Sequence, residues 1–313
     1  TMASTRQAGR PHIEVPYPTW WLAARMAWNI KVGSEASRAR HRTKKGGREP
    51  PPRKKREERA FAPTQKKATM GQTPSQPKNK HGTKVLKAKV EHAAKTGILS
   101  LTEHKLKEIP SSVAELGAKL KVLDLSQNSL SEIDCSPYPS LKTLKVGKNK
   151  LEALDVDCVT LDASENKLAT FRCRGRLESL TLKLNPLDGF PSLSKSLKFV
   201  DLSGCGLSSF DLTDSPVLTE LILDSNALTE VPANLPTLAP KLRHLSVEFN
   251  RIRAIPPSLL KSPQLDRLNL KGNPIPKAVF IETDGADDFL KRRERTHKKA
   301  DTVADKSICG LLD

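Results

Sequence analysis

The chain is 313 residues long, with 4% aromatic residues and a formal net charge of +18. So few aromatics leave leucine to supply most of any core, which points to a repetitive fold. Counted by segment, +12 of the charge falls in residues 1–69 and +5 in 70–97 while the remainder is nearly balanced, so any charge-based argument for nucleic acid or membrane concerns the amino-terminal arm alone.

Residues 1–69 show no leucine periodicity, hold all three tryptophans between Trp20 and Trp28, and carry RKKREER at 53–59. They are expected to be a disordered basic extension, a leader or alternative extension outside the native protein. The competing reading is a mitochondrial presequence, or a nuclear signal or RNA-binding patch. MGQTPSQ follows at 70–76. Met-Gly with Ser five residues after the Met is the pattern of an N-myristoylation acceptor once Gly71 is the free amino terminus. Residues 70–82 are therefore read as a flexible anchor segment with Gly71 as the lipidated residue. One myristoyl chain binds a bilayer only marginally. Lys78, Lys80, Lys84, Lys87, Lys89 and Lys95 are expected to add a second attraction, of about 1 kcal/mol each near an anionic surface.

The spacing predicts a cap helix over 83–97, with Thr83 as N-cap, Leu86, Val90 and Ala93 or Ala94 on one face, and Gly97 at its end. From Leu99 to residue 277 the chain repeats L-x-x-L-x-L-x-x-N-x-L-x-x-L, most clearly in LKVLDLSQNSLSEI (120–133) and LRHLSVEFNRIRAI (242–255). The asparagine slot is filled by His104, Asn128, Asn149, Asn166, Asn185, Cys205, Asn226, Asn250 and Asn273 at spacings of 17 to 24 residues, the signature of leucine-rich repeats. Each turn supplies a short strand whose alternate leucines point inward, and the ladder residue bonds loop backbone that burial would otherwise orphan at about 1–3 kcal/mol per group. Cys205 is read as a structural substitute, and His104 as a capping substitution rather than a ligand. The short turns around Asn166 and Asn185 leave little room for a helix, so tight turns are expected on their outer side. The fold expected is an α/β solenoid, a leucine-rich repeat horseshoe of about nine turns with a parallel concave β-sheet and helical caps.

The carboxyl-terminal cap is placed at 278–300, with Val279, Phe280 and Ile281 and then a basic helix carrying Phe289 and Leu290; residues 301–313 are read as a tail. Two flanking segments, AKVEHAAKTGILSLTEHKLKEIPSSVAEL (88–116) and GADDFLKRRERTHKKA (285–300), resemble the opening and closing segments of the leucine-rich repeat-containing protein 57 family. The resemblance implies an initiator at Met70, a myristoylated Gly71, and a membrane-linked interaction scaffold.

Outward strand positions form three rows on the concave face, and the protein-binding candidates among them are Asp162, Phe199, Asp201, Glu220, Ile222, Asp224, His244 and Glu248. They describe a mildly acidic trough around an exposed Phe199 and Ile222, a plausible contact surface for a protein partner. Five cysteines without a C-x-x-C pair argue against a disulfide framework or zinc site and favour a reducing compartment. No catalytic or phosphate-binding motif is present. The expectation is a non-enzymatic, monomeric scaffold without cofactor or metal. It would bind an unidentified protein through its concave face and an anionic membrane through myristoyl and lysines, in the cytoplasm, with no specific nucleic acid. The alternatives are a basic-tailed scaffold of a mitochondrial or nuclear ribonucleoprotein, with residues 1–69 genuine, and a regulatory subunit of a phosphatase-like enzyme.

Overall fold

In every turn a three-residue strand places one apolar side chain inward between two outward ones, and nine such strands assemble into a single parallel sheet. The computed structural model describes residues 80–173, 176–297 and 309–311, all within the unit Pro74–Asp313 of the two into which the chain divides. The sheet begins at β1 (Ile98–Ser100) and continues through β2 (Val122–Asp124), β3 (Thr143–Lys145), β5 (Thr160–Asp162), β7 (Ser179–Thr181), β8 (Phe199–Asp201), β9 (Glu220–Ile222), β10 (His244–Ser246) and β11 (Arg267–Asn269). The central residues, Leu99, Leu123, Leu144, Leu161, Leu180, Val200, Leu221, Leu245 and Leu268, are buried, as is the second inward column from Leu101 to Leu270. Each such side chain stabilises the stack by roughly 1.5–3 kcal/mol relative to exposure. No single turn has an inside of its own, so this core exists only through stacking.

Two further strands, β4 (Ala153–Val156) and β6 (Thr170–Cys173), pair in parallel on the opposite side. They take the place of the tight turns expected there. The alternation Ala-Leu-Asp-Val and Thr-Phe-Arg-Cys is the reason: Leu154, Val156 and Phe171 point into the core while their neighbours face out. Elsewhere the outer side carries short helices, α2 (Ser111–Ala114), α3 (Leu235–Leu238) and α4 (Pro257–Leu260).

The amino-terminal cap is helix α1 (Lys80–Thr96). It starts ahead of Thr83, which lies in its first turn rather than at an N-cap. Ala93, not Ala94, is the fully buried alanine, and Leu86 and Val90 pack beside it. Gly97 ends the helix at φ +74°, its N–H bonded to Ala93 O at 2.7 Å. A Cβ there would meet Lys119 O at 2.7 Å, so only glycine fits.

The other end is closed by α5 (Lys277–Glu282) and α6 (Ala286–His297). Phe280 and Phe289 meet edge to face at 6.4 Å between ring centroids. Arg292 spans the junction, its guanidinium 5.9 Å from the Phe289 centroid and donating to Leu260 O and Leu265 O. Of the three apolar residues expected to seal this end, only Phe280 does so; Val279 and Ile281 are exposed. Residues 309–311, expected only to trail behind the cap, also close the solenoid: Cys309 and Leu311 are buried, and Leu270 N–H donates to Cys309 O at 2.9 Å. That bond repeats the link Val247 N–H to Asn269 O between the preceding turns.

Candidate concave binding face

The residue before each ladder slot turns the chain. Glu103, Gln127, Lys148, Glu165, Leu184, Gly204, Ser225, Phe249 and Gly272 all have φ between +53° and +72°. This left-handed residue directs the next side chain inward. The amides of Asn128, Asn149, Asn166, Asn185, Asn226, Asn250 and Asn273 then donate to carbonyls of their own and the preceding turn. Asn185, 1% exposed, donates to Ala163 O at 3.0 Å and Leu182 O at 2.7 Å, and its Oδ1 accepts from Leu168 N–H at 3.0 Å.

At Cys205 the thiol donates to Leu182 O at 3.3 Å, replacing one amide bond. A thiol has no carbonyl oxygen to offer in return, and Leu187 N–H turns to the backbone oxygen of Asn185 at 2.9 Å. Burial pushes the Cys205 thiol up to about 11. His104 is exposed and closes onto the cap, with Nδ1 2.7 Å from Thr102 O and Nε2 3.3 Å from Lys89 Nζ. Among the described residues no group of three or more His, Cys, Asp or Glu is placed to hold a metal ion.

On the concave face the strand register aligns Phe199, Glu220, His244 and Arg267 in one row and Asp201, Ile222, Ser246 and Asn269 in the next. Asp162 and Asp201 are partly engaged by their own turns. Oδ1 of Asp162 accepts from Ser164 N–H and hydroxyl, and Oδ1 of Asp201 likewise from Ser203. Asp224 reaches across to β10, where its Oδ1 accepts from Ser246 Oγ and from Glu248 N–H, both at 2.7 Å. Burial raises its carboxyl above the usual range against the pull of these bonds, and Asp201 adds to the rise. Burial and then Asp224 raise Glu248, with Lys271 opposing.

His244 Nδ1 is enclosed and makes no hydrogen bond, with Glu220 Oε2 3.7 Å away. Burial and then Arg267 lower the imidazole below its ordinary value, offset by Glu220 and Asp224. The structure thus gathers Asp201, Glu220, Asp224, His244 and Glu248 on β8–β10 and the loops leaving them, with Asp162 three strands from Asp201's neighbour β9.

Phe199 and Ile222, expected to be exposed, are half-buried between their polar neighbours. The exposed aromatic at this end is Phe249, 46% exposed, which reading the strand rows alone passes over. Its signal lies in the column before the ladder slot, where Leu184 and Phe249 are the only large apolar residues. Of the lysines, Lys84, Lys87 and Lys95 are exposed on α1, whereas Lys89 is drawn onto the solenoid, Nζ donating to Ser100 O at 3.1 Å. Lys80 lies on α1; Gly71 and Lys78 lie outside the described residues.

Family models described as leucine-rich repeats match residues 119–141 and 216–275. The chain is 32% identical over 185 residues to "Leucine-rich repeats and immunoglobulin-like domains protein 3" of Homo sapiens, an alignment covering 57% of this chain and 15% of that protein. It is 30% identical to keratocan of Danio rerio over 58% of this chain and 61% of that one. The chain therefore spans less than two thirds of the length of either relative. Among solved structures it is similar to YopM, a leucine-rich effector protein from Yersinia pestis, with a TM-score of 0.50 at 23% identity, covering 64% of this chain and 57% of the other. That likeness is one of fold. What these comparisons share with the chain is the leucine-rich repeat, which the ladder and parallel sheet display turn by turn.

Proposed function

We propose that the protein is a non-enzymatic scaffold that binds another protein on its concave face at β8–β11. The observation that carries this reading is the concentration of Asp201, Glu220, Asp224 and Glu248 beside the exposed Phe249, polar and apolar groups that the solenoid does not need for its own ladder. Replacing Phe249 and Ile222 by alanine tests it, through cross-linked partner recovery from the native cell with the full chain. Loss of a recovered protein supports the reading, and an unchanged profile overturns it.

We further propose a tether at Gly71. The MGQTPSQ motif supports it, as do the resemblance of both flanks to the leucine-rich repeat-containing protein 57 family and the exposure of Lys84, Lys87 and Lys95 on one helix. Intact mass and amino-terminal sequencing of the native protein decide it: a myristoylated Gly71 supports the tether, and a terminus upstream of Met70 removes it.

A further inference from the structure

We propose that the partner presents an arginine side chain, flanked by an apolar residue, to the paired carboxylates of Asp224 and Glu248. The inference rests on the concave-face reading and names the chemistry that would fill it. Neighbouring strands stand about 4.8 Å apart, so Asp224 and Glu248, equivalent positions leaving β9 and β10, hold two carboxylates side by side. Both hydrogen bonds to Asp224 fall on Oδ1, leaving Oδ2 without a donor, and the Glu248 carboxylate has no hydrogen bond or ion pair among the described residues.

The surrounding charges do not cancel the pair. Asp201 on β8 adds a third carboxylate, and Glu220 on β9 faces His244. On β10, burial and then Arg267 disfavour the charged form of His244, with Glu220 and Asp224 opposing. On β11, Lys271 attracts Glu248 without forming an ion pair. A cation from outside is what relieves the repulsion.

Arginine fits better than lysine because its planar fork donates to two carboxylates at once. Its methylene stem would lie along half-buried Ile222. Phe249, the residue after Glu248, leans toward the next turn over Gly272 and offers the flanking apolar residue a rigid surface.

The test is selection of a phage-displayed random dodecapeptide library on the immobilised full chain, run in parallel on Glu248→Gln and on Asp224→Asn/Glu248→Gln. Each recovered peptide is then measured in solution with its basic residue changed to Gln. Expected is enrichment of Arg beside an apolar residue. Affinity should be about tenfold weaker for either the double variant or the Gln peptide, the loss shrinking as salt rises from low to high. Because the Glu248 side chain makes no bond in the fold, Glu248→Gln alone gives a readable result even if the double variant is unstable. Peptides without basic enrichment that are nonetheless lost on Phe249→Ala overturn this inference while leaving concave-face binding intact. No recovery, or recovery indifferent to all these substitutions, overturns both.

Discussion

The ring of Phe249 lies across Gly272: a Cβ at residue 272 would stand 2.5 Å from Phe249 Cδ1. The same relation joins Leu184 to Gly204 three turns earlier, at 2.6 Å from Leu184 Cδ2. The two large apolar residues of the left-handed column are each followed, one turn on, by the glycine that leaves them room. Gly272→Ala is therefore expected to lose about 1–2 kcal/mol from the left-handed backbone alone, at φ +72°, with a further cost for displacing the ring. Urea unfolding of Gly272→Ala alone and with Phe249→Ala checks this. The second substitution should recover the ring-displacement part and leave the backbone part.

Asn185 and Cys205 occupy equivalent slots with unequal duties. Asn185→Ala strands Leu168 N–H in the core and takes one donor from each of Ala163 O and Leu182 O, which keep Asn166 Nδ2 and the Cys205 thiol, and should cost about 1–3 kcal/mol. Cys205→Ala removes one weak thiol bond and should cost about 1 kcal/mol. Denaturant midpoints with unchanged slopes would show whether the ladder bears this asymmetry.

His244 and Asp224 respond to pH in opposite senses. The folded imidazole sits below its ordinary 6.5, so the unfolded chain takes up the proton first. Its contribution is fully present above that value and is lost as pH falls through it toward the folded value. The folded Asp224 carboxyl sits above its ordinary 3.8, so the folded chain protonates first and burial of the charge opposes folding at neutral pH. His244→Gln should flatten the decline in stability below pH 6.5. Asp224→Asn, which keeps an acceptor for Ser246 and Glu248, should raise stability at pH 7 and lose that advantage as pH falls toward 4. Thermal melts of the three proteins across this range provide the check.

Cys135, Cys205 and Cys309 are protected thiols, pushed up to about 12, 11 and 11 chiefly by burial. In the native state they should alkylate at least about a hundredfold more slowly than an ordinary thiol near 8.5 at pH 8. Leu311→Ser should release the 309–311 segment and speed labelling of Cys309 while leaving Cys205 unchanged. Peptide-resolved mass spectrometry would read both rates, and equal acceleration at the two sites would mean that Leu311 supports the whole stack rather than its last turn.

The concave rows and inward ladder were readable because every turn must satisfy the same two requirements, an apolar filler and an inward hydrogen-bonding side chain, so Leu144 and Asn149 recur as Leu245 and Asn250. The outer side answers to weaker rules. Any segment that buries one or two apolar residues suffices, and Ala153–Val156 forms a strand where length alone suggested only turns. Phe249 was hidden for a different reason: its exposure follows from a backbone angle set by position in the turn, which hydrophobic alternation does not register. At the last turn, Cys309 and Leu311 lie 38 and 40 residues beyond Lys271, outside the repeat period that identified the other partners.

The pairing of Ala153–Val156 with Thr170–Cys173 also governs curvature. A stack bends when its outer side takes more length per turn than its inner side, as when helices about 10 Å wide back strands about 4.8 Å apart. Where strands back strands, both sides advance equally and the bend vanishes. Turns near Asn149 and Asn166 are therefore expected to bend less than their helix-backed neighbours. The turns backed by α3 and α4 are expected to bend more, so a partner reaching the carboxylates of Asp224 and Glu248 should meet them with a convex contour.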